Sequence, residues 1–196
     1  MIPDADSRAQ TYFLVTERAG FRAWTPEDLP LALTLWGDPA VTRFIDARGR
    51  LNEIQVRERL VKEIATRQAY GVQYWPVFRL DTNDFLGCCG LRPYQPDQRV
   101  YEIGFHLCAA HWGKGYATEL SKAVIAHAFG QLGFSALFAG HDPNNQDSRR
   151  VLGKLGFRYT HEEYYPPTGS NHPSYLLTRE EFEAIGKEAG RLRCDT

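Results

Sequence analysis

From Val100 to Phe157 the side-chain period changes from two to about 3.6 and back again, and this order constrains the fold more than any other part of the sequence. In the run Val100 to Cys108, Tyr101, Ile103, Phe105 and Leu107 fall on one face, and Glu102, Gly104, His106 and Cys108 on the other. One face reads as core and the other as a site. Past Gly115, the residues Ala117, Leu120, Val124, Ala128 and Leu132 line one side of a helix that Gly133 should stop. An extended run follows from Ser135 to His141. Strand, helix and strand in this order form a βαβ crossover, so two strands must run parallel.

The remaining segments surround that unit. The chain has 196 residues, 43% hydrophobic and 24% charged, enough for one full core. We expect a single domain over 1–196, with a core of about 12–180 and polar segments at both ends. Tyr12 to Trp24 reads as a strand or a hairpin through Gly20, and Thr25-Pro26-Glu27-Asp28 as the start of a short helix. Asn52 to Ala69 is an amphipathic helix. Its stripe is Val56, Leu60 and Ile64, widened by Val61 and Ala65, and Asn52 with Gln55 offers a reciprocal cap. Gln73 to Leu80, Phe85 to Leu91 and Val100 to Cys108 form an antiparallel meander, with Pro76 pushing its strand toward an edge or a bulge. After Asp142-Pro143-Asn144-Asn145 a helix turns Val151, Leu152 and Leu155 inward and ends at Gly156. Tyr164 to Tyr175 reads as an aromatic, proline-rich loop before a last strand near Tyr175 to Thr178, with a polar helix or tail from Arg179. The class is α/β: a mixed, mostly antiparallel sheet with one central parallel crossover, flanked by helices.

Composition excludes several functions. A net charge of −1 gives no basic face for nucleic acid or an anionic membrane. The first ten residues lack a basic stretch followed by an apolar one, and no run of about 18 apolar residues occurs, so the cytoplasm is the expected compartment. Cys88, Cys89, Cys108 and Cys194 contain no C-x-x-C pair, and none is spaced to share a metal with histidine. They read as free thiols of a reducing compartment, with no metal.

The chemistry concentrates in His111 to Glu119, HWGKGYATE, between strand and helix. Gly113 and Gly115 permit a tight turn, the helix start presents unpaired N–H groups, and Lys114 adds local positive charge. Such a loop binds phosphate. No G-x-x-x-x-G-K-[ST] run exists, and a dinucleotide fingerprint begun at Gly113 ends on Thr118 instead of Gly or Ala. Asp142, at the end of the following strand, keeps a dinucleotide-binding oxidoreductase as the alternative, beside a non-catalytic acyl-CoA-binding module.

Trp112-Gly113-Lys114-Gly115-Tyr116-Ala117 resembles the acetyl-CoA loop, [QR]-x-x-G-x-[GA], of the GNAT N-acetyltransferase superfamily, with a departure at its first position. W-G-K-G-Y-A-T-E is similar to the subgroup of ribosomal-protein alanine N-acetyltransferases. Asn145-x-x-Ser148 followed by Val151-Leu152-x-Lys154-Leu155-Gly156-Phe157, and the strand Tyr101-Glu102-Ile103-Gly104-Phe105, resemble two further segments of that family in the same order. The resemblance spans roughly Tyr12 to Thr178.

It implies a GNAT fold and transfer of acetyl from acetyl-CoA to a primary amine, either a protein N-terminus or a small molecule. The backbone of His106, Leu107 and Cys108 would hold the pantetheine arm where two parallel strands splay. Trp112, Gly113, Lys114, Gly115, Tyr116, Ala117 and Thr118 would hold the pyrophosphate, with Asn145 on a pantetheine amide. Many relatives use a tyrosine in the last helix as general acid. Leu152 stands at that position, so Ser148 is the substitute expected. Glu102, on the site-facing side of its strand, is the first choice of base and His106 the second. His161, Glu162 and Glu163 are candidates for a water relay. Trp36, Phe44, Tyr164, Tyr165, His172 and Tyr175 would wall the acceptor pocket, or else belong to an aromatic-rich core or a dimer surface, which leaves a homodimer open.

Overall fold

The computed structural model describes the backbone of residues 11–194 and the side chains of residues 11–187. The polar N-terminal segment and the Cys194 thiol, both discussed above, lie outside the described residues. Eight strands form one sheet: β1 (Leu14–Val15), β2 (Ala19–Phe21), β3 (Tyr74–Arg79), β4 (Phe85–Gln95), β5 (Val100–Leu107), β6 (Ala136–Gly140), β7 (Arg158–Tyr165) and β8 (Ser170–Thr178). Their order is β1-β2-β3-β4-β5-β6-β8-β7. Among the described residues only the central β5–β6 pair is parallel. The expected crossover is therefore present, carried by α4 (Tyr116–Gly130).

Helices cover both faces. On one, α4, α5 (Gln146–Lys154) and α6 (Arg179–Cys194) surround a core that includes Ile103, Leu107, Leu120, Val124, Leu152 and Leu177. On the other, α1 (Leu29–Trp36), α2 (Pro39–Thr42) and α3 (Glu53–Tyr70) pack through Leu35, Trp36, Val41, Val56 and Leu60 against Tyr74 and Cys88. Among the described residues no helix is long and apolar enough to cross a membrane.

Several sequence expectations need correction. The first hairpin turns at Thr16–Arg18, where Thr16 N–H donates to Ala19 O (2.8 Å), and not at Gly20. Gly20 lies within β2, where the Tyr12 ring occupies the space a Cβ would need. Of the two outcomes expected from Pro76, β3 is not an edge, because it pairs with both β2 and β4, but its register with β4 shifts next to the proline, between Val77 and Phe78. Pro76 falls just past the last β2 pair, Phe21 with Val77, and its carbonyl accepts the Arg22 N–H (3.3 Å). The Tyr164 to Tyr175 segment is mostly a paired hairpin, since β7 continues to Tyr165 and β8 begins at Ser170.

The helix α3 keeps its Asn52–Gln55 capping box, but Val61 and Ala65 face solvent while Glu63 is only 1% exposed. That carboxylate bonds Arg92 through Oε1 and accepts the Tyr74 N–H on Oε2 (3.0 Å). Arg92 in turn stacks its guanidinium 4.0 Å from the Tyr74 ring centre. The apolar stripe is thus interrupted by a charge that binds helix to sheet. Removing one partner of a buried ion pair leaves the other without a counter-charge and costs about 3–5 kcal/mol. Glu63→Ala should lose about that much unfolding free energy in urea titration, and Val61→Ala, on the exposed side of the helix, about 0.5 kcal/mol or less.

Candidate active site

Pairing between β5 and β6 stops after Val100–Ala136, Tyr101–Leu137 and Glu102–Phe138. β5 runs on to Leu107 and β6 to Gly140, so the two strands part in the middle of the sheet. Two cavities meet at this gap. The larger, 430 Å³, reaches the start of α4 and is lined by Leu107, Trp112, Gly113, Gly115, Tyr116, Ala117 and Thr118 together with Arg43, Arg150 and Lys154. The smaller, 290 Å³, reaches Glu102, Tyr94, Glu163, Tyr164 and Tyr165. Phe44, Ile45, Phe105, His106, Asn145 and Ser148 line both.

In the glycine loop, Gly113 (φ +72°) and Gly115 (φ +82°) take left-handed conformations that other residues rarely adopt, and Gly115 is the N-cap of α4. The N–H groups of the first helical turn are left without helical partners and face the larger cavity. Trp112 Nε1 donates to Leu107 O (2.7 Å), which pins the loop to the end of β5. Lys114 does not line the cavity, and its ammonium donates to Ala110 O (2.8 Å). Arg18, which sequence reasoning missed, donates to Lys114 O (3.1 Å) and Glu119 Oε2 (2.7 Å) and lies 4.3 Å over the Tyr116 ring. A turn near the N-terminus thereby braces the loop.

The backbone assignment at the end of β5 also shifts. Cys108 N–H donates to Leu86 O (3.0 Å), so it faces β4 and not the gap, and Cys108 lines neither cavity. In an antiparallel ladder alternate residues turn their N–H and C=O to the same neighbour. His106, in register with Cys88, therefore also directs its backbone to β4, whereas Phe105 and Leu107 direct theirs into the gap. Burial pushes the Cys89 thiol up to about 12 and the Cys108 thiol up to about 11, which makes both inert.

Glu102 accepts a hydrogen bond from Tyr74 Oη (2.7 Å), and Arg92 is its register partner on β4. Tyr74 reaches it by crossing Gly104, where a Cβ would lie 2.2 Å from the hydroxyl. A glycine among the alternating residues of β5 was the available sign that another side chain crosses the strand. Ser148 stands in the first turn of α5, its N–H held by Asn145 Oδ1 (3.1 Å), and Leu152 is buried one turn further on. His106 accepts the Trp36 Nε1–H on Nδ1 (3.2 Å). The imidazole then carries its own proton on Nε2, and an incoming proton would have to displace Trp36 from Nδ1. Burial, then Arg59 and Arg92, hold its pKa well below the usual histidine value. In this arrangement neither ring nitrogen presents a free lone pair to the cavities.

Of the aromatic residues expected around the acceptor, Phe44, Tyr164, Tyr165 and His172 line the smaller cavity. Trp36 belongs to the core against Trp24, and Tyr175 stacks on His141 (5.4 Å), so neither is a wall. His161 and Glu162 also fall outside. Glu163 lines the cavity and accepts a hydrogen bond from Tyr94 Oη (2.9 Å), a partner that periodicity could not supply because the pair joins β4 to β7.

Two parallel strands that part over a glycine-capped helix define the class of acyl-CoA-type N-acyltransferase folds. The sequence profile of the acetyltransferase (GNAT) domain matches residues 18–158, and the chain belongs to this family of N-acetyltransferases. It is 35% identical to YkkB of Bacillus subtilis over 75% of this chain and 86% of that protein. N-acetyltransferase p20 of Bacillus licheniformis is 28% identical over 74% and 82%. Similar solved structures include a GNAT acetyltransferase from Bacillus anthracis (TM-score 0.73, 23% identity, 85% of this chain and 98% of that one). Another is RimL, a ribosomal L7/L12 α-N-protein acetyltransferase in complex with coenzyme A (TM-score 0.73, 16% identity, 86% and 98%).

The contact between Tyr74 and Gly104 leaves no room for a methyl group. Gly104→Ala should force the Tyr74 hydroxyl off Glu102 and destabilise the fold by about 1–3 kcal/mol, as overpacking does. Thermal unfolding reads the loss, and the tyrosine absorption difference spectrum reads the displaced phenol.

Proposed function

We propose that this chain acts as a single domain that binds acetyl-CoA in the larger cavity and transfers its acetyl group to a primary amine held in the smaller one. The observation that carries this reading is the opposite charge of the two joined cavities. Arg43, Arg150 and Lys154 line the larger against one acid, Asp147. Glu102, Asp142 and Glu163 line the smaller with no lysine or arginine. A polyanionic cosubstrate suits the first and an ammonium group the second.

The pyrophosphate would rest on the α4 N-terminus between Gly113 and Thr118, with Trp112 holding the loop and Lys114 free to swing from Ala110 O toward the phosphates. The pantetheine arm would extend along the gap against the backbone of Phe105 and Leu107, with Asn145 Nδ2 donating to one of its carbonyls. Glu102 takes a proton from the ammonium, directly or through one water. The amine nitrogen then attacks the thioester carbon, the C–S bond breaks, and the Ser148 hydroxyl gives its proton to the departing thiolate while it receives the second proton of the amine nitrogen. The unpaired thiols of Cys88, Cys89 and Cys108 support a cytoplasmic setting. The acceptor is a peptide N-terminus or a small amine, and a screen that reads acetylated products by mass distinguishes them.

The cofactor half of this reading is tested by Gly115→Glu, which brings bulk and negative charge to a left-handed position beside the phosphates. Acetyl-CoA binding by calorimetry should be lost while circular dichroism is retained; an unchanged affinity would sink the assignment of the loop. The transfer half is tested by Glu102→Gln, which keeps the Tyr74 contact and removes a basic oxygen. Its rate of amine-dependent CoA release should fall about 100-fold or more at pH 7, with acetyl-CoA affinity intact. The deficit should narrow as rising pH supplies more neutral amine, and a wild-type pH profile would hand the proton to water.

A further inference from the structure

We propose that His106 is a hydrogen-bond donor in catalysis, its Nε2–H directed at the carbonyl oxygen of the thioester and its tautomer set by Trp36. The inference rests on the acetyl-transfer reading of the site and deepens it. An indole N–H can donate and cannot accept, so its 3.2 Å contact makes Nδ1 of His106 the acceptor. Cys88 Sγ, 3.8 Å from the same nitrogen, offers a second weak donor. Both neighbours therefore favour the neutral ring with its proton on Nε2.

The other end of the ring is open. Among the described residues Nε2 has no hydrogen-bond partner, yet it is absent from the occluded polar atoms without one, so it reaches the cavity space. His106 also lines both cavities, at the junction where an acetyl group must pass from one to the other. The electrostatic surroundings keep the ring neutral. Arg92 lies behind it, engaged with Glu63. Arg59 lies 4.8 Å over the Trp36 ring, and its Nε is buried with no acceptor. A cation so placed opposes imidazolium formation and strengthens the Nε2–H dipole toward negative charge.

In the transfer step the amine lone pair forms the new N–C bond, and the carbonyl π pair moves onto oxygen. The Nε2–H stabilises that oxygen while the charge exists. The pair then returns, the C–S bond breaks, and sulfur leaves with the bonding electrons and takes a proton from Ser148, which regains one from the nitrogen as it becomes the amide. His106 keeps its proton throughout, because Trp36 occupies its Nδ1 and leaves it no second site through which to regain a proton given up from Nε2. Its role is distinct from the base and the acid, and Trp36 and Arg59 act through it as positioning residues.

Nitrogen-15 spectra of histidine-labelled protein read the tautomer directly and without turnover. The His106 signal should be that of neutral Nε2–H across the range in which free histidine titrates, about pH 5.5–7.5. It should shift when acetyl-CoA is added and less when CoA is added. An Nδ1–H tautomer, or equal shifts with both ligands, would overturn the proposal. In kinetics, His106→Phe should lower kcat about 100- to 1000-fold, the usual cost of one such donor, at unchanged acetyl-CoA affinity. His106→Gln, which restores an N–H donor, should recover part of that rate, and Trp36→Phe should lower kcat and admit the second tautomer. Wild-type kcat in His106→Phe, or loss of only the acidic limb of the pH profile, would also overturn it. If wild-type protein releases no CoA with any amine, the transfer reading fails instead, and the donor is rejected with it even where the spectra show Nε2–H.

Discussion

The site depends on a carboxylate that the apolar stripe of a helix was not expected to contain. Glu63 is fully engaged, with one oxygen on Arg92 and the other on the Tyr74 backbone. Buried charge is tolerated only when it is paired and hydrogen-bonded. Meeting that condition here aligns α3, β3 and β4 at one point. From this point Tyr74 extends across Gly104 to Glu102, and Arg92 stands behind both. The position of the candidate base is therefore fixed by an ion pair on the opposite side of the tyrosine ring. Energetically the pair gives specificity of arrangement more than net stability.

The second constraint is topological. A parallel pair at the centre of an otherwise antiparallel sheet needs a crossover helix, and α4 supplies it. Because β5 and β6 separate after three residue pairs, the sheet opens where the α4 N-terminus arrives. Unpaired backbone groups, a helix dipole and two side-chain faces are thus collected at one opening. That is why the loop, the gap and the candidate site residues lie together although they come from distant parts of the chain.

Much of this was legible in the sequence because it is encoded locally. The period change around HWGKGYATE, the capping box at Asn52 and Gln55, and the glycine pair Gly113 and Gly115 each depend on near neighbours. What could not be read is non-local. Glu63 with Arg92, Tyr94 with Glu163, and Trp36 with His106 are pairs brought together by sheet register and helix docking, and hydrophobic periodicity carries no information about them. His106 is instructive: its strand face was predictable, but its Nδ1 accepts from an indole 70 positions away in sequence. The β7–β8 hairpin was hidden for another reason, since its prolines and aromatics have the composition of a loop while long-range pairing makes them strands.

The strand order has a consequence for biosynthesis. β8 is inserted between β6 and β7, so the last strand made is the one that covers the open side of β6. While the ribosome still holds the segment after Tyr165, β6 is a bare edge and β7 has nothing to pair with. The larger cavity, whose lining ends with α5, can be built before this point. The smaller cavity cannot, because Tyr165, His172 and Ser174 of its wall belong to the closing hairpin. A nascent or truncated chain that stops short of Ser174 would present an unpaired β6 edge to other chains, a known route to aggregation, and the final hairpin serves as the seal on the sheet as well as a wall of its pocket.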